Sequence, residues 1–390
     1  MGLALALWGA SARASEDDWL RQSRILVPGD LVNKDCRTGV CKHNENTDMT
    51  RWRGGVWLVH RTADSQILGP NSSLRVYRSK NAARSFALQA IIPADFGRDI
   101  RDPSFYQVGR LLYLKAITRL PGFGLRDTGV DSISVETHSR DGKNWSPLRF
   151  IGPVRWGFWR VVQHKGVYYS AAYEDGDLQV KLFRSTDGEN WTEGAQIYGV
   201  SEDTPLETEL VFMPSGRMLA LVRMDGTDFD LLGFQGRLRT KVCWAEPPYD
   251  AFDCPQELNG VRLDGAKAFF WKRRLFVVAR KHIIGPGIRK RTALYEITGT
   301  LEGGPIGIVE WGELPSAGDT AYAGTAPIGR GRFLVSWYSS DVQADQNWVV
   351  GLTAPSDIWL ATIDLPRLPR PAPRPIVEPG GSDLATDGLP

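Results

Sequence analysis

The sequence predicts an all-β protein, a β-propeller of four-stranded antiparallel blades, six in number with five as the alternative. Three observations carry this. A seven-residue pattern, Ser-x-Asp-Gly-x-x-Trp, occurs at residues 139–145 and again at 185–191, with a looser copy over 79–86, and self-similarity of this kind marks a repeat architecture. From about residue 50 to 362, short β-type runs alternate with Gly, Asp, Asn and Pro, and no helical periodicity competes with them. Six of the runs, at 55–59, 110–114, 167–170, 217–222, 274–278 and 332–337, recur every fifty to sixty residues or so, about the length of one blade with its connections.

In chain order, residues 1–14 read as a signal peptide. A short apolar run ends in Ala12-x-Ala14, and the missing basic n-region fits a truncated signal. The run is too short to span a bilayer, and nothing else in the chain is apolar enough to do so. Residues 15–43 form an N-terminal extension, and 44–364 are the propeller. Residues 358–363 are expected to close the ring by pairing with the N-terminal region. Residues 365–390, first Pro-rich and then Gly- and Asp-rich, are expected to be an extended, disordered tail.

The four cysteines fall in two close pairs, Cys36/Cys41 and Cys243/Cys254. In an exported protein, periplasmic or extracellular, this predicts two short-loop disulfides. Zinc is the competing reading, but Cys-x4-Cys has no second pair at ligand spacing, and His43 alone cannot complete a site. In the repeated box, Asp accepts backbone N–H bonds at a hairpin tip, Gly takes the left-handed position and Trp folds back as an apolar plug. Such boxes hold a scaffold together and rarely touch a ligand.

With 47 basic and 45 acidic residues there is no electrostatic case for nucleic acid. Fourteen Trp and eleven Tyr suit both stacked sheets and a sugar-binding surface. No linear motif points to a cofactor or metal, and a monomer is expected. In a propeller, reactive groups converge from several blades, so the candidates are polar residues at strand ends. The sharpest is a hairpin over 206–223 that places Glu207 and Arg223 at one open end, as a structural ion pair or as a catalytic one. Asp319 and Tyr322 stand at another strand entrance, and Arg101 and Asp102 at a third, where Pro103 fixes the approach. Arg160, Arg280 and Arg291 complete the set.

On these residues the chain resembles the sialidase-like (neuraminidase-type) propellers over about residues 44–364. The repeated boxes are similar to that superfamily's Asp boxes. Its members carry a Glu sixteen residues before an arginine of the substrate-carboxylate cluster, the separation of Glu207 and Arg223. Tyr322 matches the nucleophilic tyrosine. Asp64, followed by Gly69-Pro70-Asn71-Ser72 and the loose box, looks like the loop of the general acid.

The resemblance implies a secreted exo-glycosidase that hydrolyses a terminal sugar, sialic acid or a related glycan unit. Tyr322 would be the nucleophile, Glu207 its base and Asp64 the acid, because a neutral phenol approaches an anionic anomeric centre more easily than a carboxylate does. Arginines, Arg223 with Arg280 or Arg291, would clamp the substrate carboxylate. Arg101, Asp102, Arg160 and Asp319 would join them in binding substrate. The family's first arginine has no counterpart, since residues 43–48 contain none, and a neutral or differently charged sugar becomes an alternative. The segments 101–103, 159–161 and 318–322 look more like a bacterial secreted branch of the superfamily. Two further readings stay open. One is an inverting glycosidase that uses only Asp48 or Asp64, Asp102 and Glu207; the other is a non-catalytic propeller that binds glycan or protein.

Overall fold

The computed structural model describes residues 18–67, 69–81, 84–94, 97–120, 132–174, 178–226, 238–283 and 287–368. The expected signal peptide and residues 369–390 of the expected tail lie outside them. Twenty-four strands form six four-stranded antiparallel sheets.

Blade 1 is β2 (His43–Trp52), β3 (Gly55–Ala63), β4 (Ser73–Ser79) and β5 (Ala87–Pro93). Blade 2 is β6 (Asp99–Val108), β7 (Leu111–Arg119), β8 (Ile133–Ser139) and β9 (Arg149–Ile151). Blade 3 is β10 (Trp156–His164), β11 (Val167–Glu174), β12 (Val180–Ser185) and β13 (Thr192–Tyr198). Blade 4 is β14 (Pro205–Phe212), β15 (Met218–Met224), β16 (Arg239–Ala245) and β17 (Asp253–Asn259). Blade 5 is β18 (Asp264–Trp271), β19 (Arg274–Ile283), β20 (Arg289–Gly299) and β21 (Ile306–Leu314). Blade 6 is β22 (Thr320–Gly329), β23 (Arg332–Ser339) and β24 (Asp357–Asp364), and its outer strand is β1 (Leu20–Val27).

The ring thus closes as expected from residues 358–363: Leu20 pairs with Ile363 and Ile25 with Trp359. The segment expected as an N-terminal extension therefore contributes a strand of its own to blade 6. At the other end, Leu365 and Leu368 of the expected tail are buried against the blade 5/6 core.

The six apolar runs read from the sequence fall on β3, β7, β11, β15, β19 and β23, the second strand of each blade. These strands are buried on both faces, most fully in β3, because each blade is sandwiched between two neighbours. Burial on both faces replaces strict alternation with near-continuous apolar sequence. Separate clusters fill the interfaces: Leu221 and Val277 between blades 4 and 5, Phe276 and Val335 between blades 5 and 6, and Leu58 and Leu334 between blades 6 and 1.

The repeated boxes connect the third and fourth strands of blades 2 and 3. Ser139 Oγ accepts from the Gly142 amide at 2.8 Å, and Asp141 Oδ1 accepts from the Lys143 and Asn144 amides at 2.8 Å each. Asp187 repeats the arrangement with Glu189 and Asn190, and the loose copy uses Asn81 to accept from the Ser85 amide. Each box leans on the preceding blade. A Cβ on Gly142 would lie 2.0 Å from the Trp57 ring, and one on Gly188 would lie 2.4 Å from Val108. Gly142 also sits at φ +75°. Gly142→Ala is expected to cost about 2–4 kcal/mol from overpacking and left-handed strain, visible as a lowered thermal midpoint with any ligand binding at the opposite end unchanged.

Both cysteine pairs are disulfides. Cys243–Cys254 ties β16 to β17. Cys36–Cys41 closes a loop whose Cys36 and Thr38 carbonyls accept from Arg75 of β4.

Candidate active site

The inner strand of every blade carries a β-bulge at one equivalent height. Two residues stand opposite one in β2 between Glu45 and Asp48, in β6 between Arg101 and Ser104 and in β10 between Phe158 and Val161. The same holds in β14 between Pro205 and Thr208, in β18 between Asp264 and Lys267 and in β22 between Ala321 and Gly324. A bulge re-aims its side chains out of the ladder. Here six bulges surround one axis, and they present Asn46, Asp102, Trp159-Arg160, Glu207, Gly265 and Tyr322. Asn46, Asp102 and Tyr322 take left-handed backbone angles of +46°, +51° and +50°, which are uncommon for non-glycine residues and cluster at functional sites.

Above the bulges lies a cavity of about 320 Å³ lined by Glu207, Arg223, Tyr322, Asp102, Arg101, Arg280 and Asp319, among others. Leu206 and Glu207 are the two bulged residues opposite Arg223, so the hairpin itself brings acid and guanidinium together. Glu207 Oε2 accepts from Arg223 Nη1 at 2.8 Å and from the Gly265 amide at 3.0 Å. Glu207 Oε1 accepts from the Tyr322 hydroxyl at 2.5 Å, and Arg223 Nη1 donates to that hydroxyl at 3.1 Å. The Arg280 guanidinium lies 5.2 Å from the Tyr322 ring centre. Gly265 makes room for the phenol, since a Cβ there would fall 2.9 Å from the ring. Burial, reinforced by the Glu207 carboxylate, pushes the Tyr322 phenol well above its ordinary range, and Arg223 and Arg280 act in the opposite direction.

Asp102 Oδ1 accepts from Asn46 Nδ2 at 2.7 Å. Its carboxyl is raised by burial first and by Glu207 second, against Arg101, Lys115 and Arg119. Asp319 accepts from Arg280 Nη2 at 2.8 Å, from the Tyr338 hydroxyl at 2.6 Å, from Trp348 Nε1 at 2.9 Å and from Gln66 Nε2. Trp348 opens a single helical turn, α1 (Trp348–Gly351), at the cavity rim.

Behind Arg223 and Arg280, Asp264 accepts from Arg262 at 2.7 Å and meets His282 at 2.9 Å, Arg223 at 3.3 Å and Arg280 at 3.5 Å. Burial alone would raise this carboxyl, yet Arg223, Arg262 and His282 hold it well below the usual range. Asp225 adds a two-point contact to Arg223 at 2.7 and 3.0 Å.

Of the residues singled out in the sequence, Tyr322, Glu207, Arg223, Arg280, Arg101, Asp102 and Asp319 meet in this cavity. Three do not line it. Asp64 is exposed, because Arg61 donates to the Ser65 carbonyl and Arg101 to the Gln66 and Ile67 carbonyls. These bonds turn Gln66 and Ile67 over the cavity and leave Asp64 outside. Arg291 is on the third strand of its blade, away from the axis, where Asp345 at 2.5 Å and Glu313 at 3.6 Å neutralise it. Arg160 plugs the axis below Tyr322, donating to Asp48 at 2.9 Å and to the Ala323 carbonyl at 2.8 Å. Where the first arginine was sought, β2 offers Glu45 and Asn46. The nearby Arg61 is wholly buried, 3.1 Å from Glu45 and 2.7 Å from Asp99. Asp264, Gly265, Tyr338 and Trp348 were not anticipated. Asp264 and Gly265 adjoin the site across a blade boundary, while Tyr338 and Trp348 reach it from β23 and from the loop before β24, in the blade of Tyr322, and no spacing in the sequence announces them.

No protein-family model matches the sequence and no curated protein matches it. Among solved structures, a protein of unknown function from Dyadobacter fermentans DSM 18053 is similar with a TM-score of 0.59 and 17% identity, over 87% of this chain and 98% of that one. The NanB sialidase of Streptococcus pneumoniae gives 0.63 and 11%, over 88% and 71%. The intramolecular trans-sialidase of Ruminococcus gnavus gives 0.62 and 10%, over 89% and 98%. At these identities the likeness is one of fold. With its six four-stranded blades and ring closure, the chain has the six-bladed β-propeller fold and resembles these sialidase structures in fold.

Proposed function

We propose that the protein is an exported exo-glycosidase that cleaves a terminal sugar, sialic acid or a related glycan unit, with retention of configuration. The observation that carries this is the 2.5 Å hydrogen bond from Tyr322 to Glu207 inside the axial cavity, with Arg223 on both partners. Because the phenol is held above its ordinary range, free phenolate is scarce, and its proton must pass to Glu207 as the bond to carbon forms. Tyr322 Oη then attacks the anomeric carbon, the glycosidic bond breaks toward the leaving oxygen, and a carboxylic acid protonates that oxygen. In the second half, water loses a proton to the same carboxylate and displaces Tyr322, which recovers its own proton from Glu207. Arg223 stabilises negative charge on the phenol oxygen throughout. The two disulfides fit an exported protein.

For the acid we assign Asp102 in place of Asp64. Asp102 lines the cavity and its carboxyl is raised, the condition a general acid needs near neutral pH. The carboxylate-only alternative loses support because Asp48 is buried and committed to Arg160, to Lys267 at 3.0 Å and to the Phe105 amide.

The test is a panel of aryl glycosides, sialosides and carboxylate-free sugars included. Release of the aryl group from at least one is expected; no release from any would leave the non-catalytic reading. For Asp102→Asn, the rate should fall about 10²–10⁴-fold on an unactivated glycoside and far less on a nitrophenyl glycoside, whose leaving group needs no proton. The wild-type rate should decline as pH rises through the raised Asp102 value, and that limb should vanish in the variant. Asp64→Asn should show neither effect.

A further inference from the structure

The six inner turns at the end of the propeller opposite the cavity form a cationic ring, inside outer turns of mixed charge that include Asp141, Asp187 and Glu246, and we infer that this ring is a second binding site, for acidic polysaccharide bearing uronate or sulfate groups. In every blade the first strand starts at the cavity end, so all six turns joining first and second strands lie at the far end, around the axis. These turns, residues 53–54, 109–110, 165–166, 213–217, 272–273 and 330–331, hold seven Lys or Arg and no Asp or Glu. The whole chain has nearly equal numbers of each sign, so a one-sided set of seven has odds on the order of one in a hundred.

Arg217 is paired with Glu246. The ring that remains is Arg53, Arg110, Lys165, Lys272, Arg273 and Arg330, all exposed and with no ion pair among the described residues. Local turn energetics do not account for them. Arg53, Lys165, Lys272 and Arg330 occupy left-handed positions, φ +45° to +56°, where Gly, Asn or Asp is the favoured choice. A charge stands there instead of a turn former.

Beside the ring, a hollow of about 450 Å³ between blades 1 and 2 gathers Arg78, Lys80 and Lys143. A rigid ring of cations with an adjoining basic hollow matches a hydrated polyanion whose charges repeat along a chain. An anionic membrane fits less well, because none of the exposed large apolar side chains among the described residues lies in these six turns to insert. Docking at this face would leave the cavity directed outward. The inference does not rest on the glycosidase reading.

The test uses the full chain against polygalacturonate and chondroitin sulfate, with dextran as the neutral control and phosphatidylglycerol vesicles as the competing partner. Arg53→Asn, Lys165→Asn, Lys272→Asn and Arg330→Asn are combined, since Asn keeps the left-handed turns and hence the fold, checked by thermal midpoint. Wild type should bind at least one acidic polymer and not dextran, with affinity falling as salt rises from about 50 to 200 mM. The fourfold variant should bind about tenfold more weakly or worse, while Tyr322→Phe binds as wild type. Four results would overturn the site: no binding of wild type to either acidic polymer, undiminished binding by the fourfold variant, loss of binding in Tyr322→Phe, or retention by vesicles alone.

Discussion

Tyr322→Phe is expected to lower kcat/KM on any glycoside the protein cleaves by about 10³-fold or more, with the fold intact. The substitution removes one oxygen and leaves the ring, which packs edge-on against Trp159 at 5.9 Å and beside Tyr338 at 6.1 Å. Glu207 keeps Arg223 and the Gly265 amide as partners through its other oxygen. The stability cost should therefore be that of one hydrogen bond, about 1 kcal/mol. A purely structural tyrosine would behave in the reverse way, with a measurable loss of stability and little change in rate. Steady-state kinetics and urea unfolding on the same preparation separate the two.

The second large effect is on stability. Asp264 is fully buried and is the shared counter-ion of Arg223, Arg262 and Arg280, and it is hydrogen-bonded to His282, which burial keeps neutral by pushing its pKa down to about 3. Asp264→Asn keeps the shape but strands those cations without their charge partner, a situation expected to cost about 3–5 kcal/mol. The pH dependence has a definite sign. The folded-state pKa of Asp264 is depressed, so below the ordinary carboxylate range, near pH 4, only the unfolded chain takes up the proton. The stabilisation is fully present above that range and drains away as pH falls further. Urea unfolding at pH 7 should show the full difference between wild type and variant, and the gap should narrow toward pH 3. An unchanged gap would mean that Asp264 acts by shape alone.

Much of the scaffold was legible because blade stacking leaves a strong trace. The second strands are apolar on both faces and the third-to-fourth turns repeat one hydrogen-bonded box, so the six runs and two boxes fix the blade register. Residues 358–363 announced ring closure because an apolar strand at the end of a chain needs a partner. Within one hairpin the site was legible too: Glu207 and Arg223 face each other because a bulge sets two residues of β14 against one of β15. Contacts between blades were not. Asp264 meets Arg223 across a blade boundary; nor was the contact, within blade 6, of Trp348 with Asp319, which a long loop before β24 delivers. The displacement of Asp64 depends on three carbonyl contacts of the loop that follows it, and backbone acceptors leave no mark in sequence. The boxes, the most conspicuous repeat, lie at the end away from the cavity and stabilise the scaffold.

The most direct measurement is mass spectrometry of the protein quenched in acid while it processes a fluorinated glycosyl fluoride of whichever sugar the panel identifies. Fluorine beside the anomeric carbon slows release of the glycosyl group, and fluoride leaves without needing an acid. A mass increase of one glycosyl unit is expected on the peptide that carries Tyr322, and it should be absent in Tyr322→Phe. Turnover with no adduct, or an adduct on a carboxylate such as Glu207, would contradict a tyrosine nucleophile.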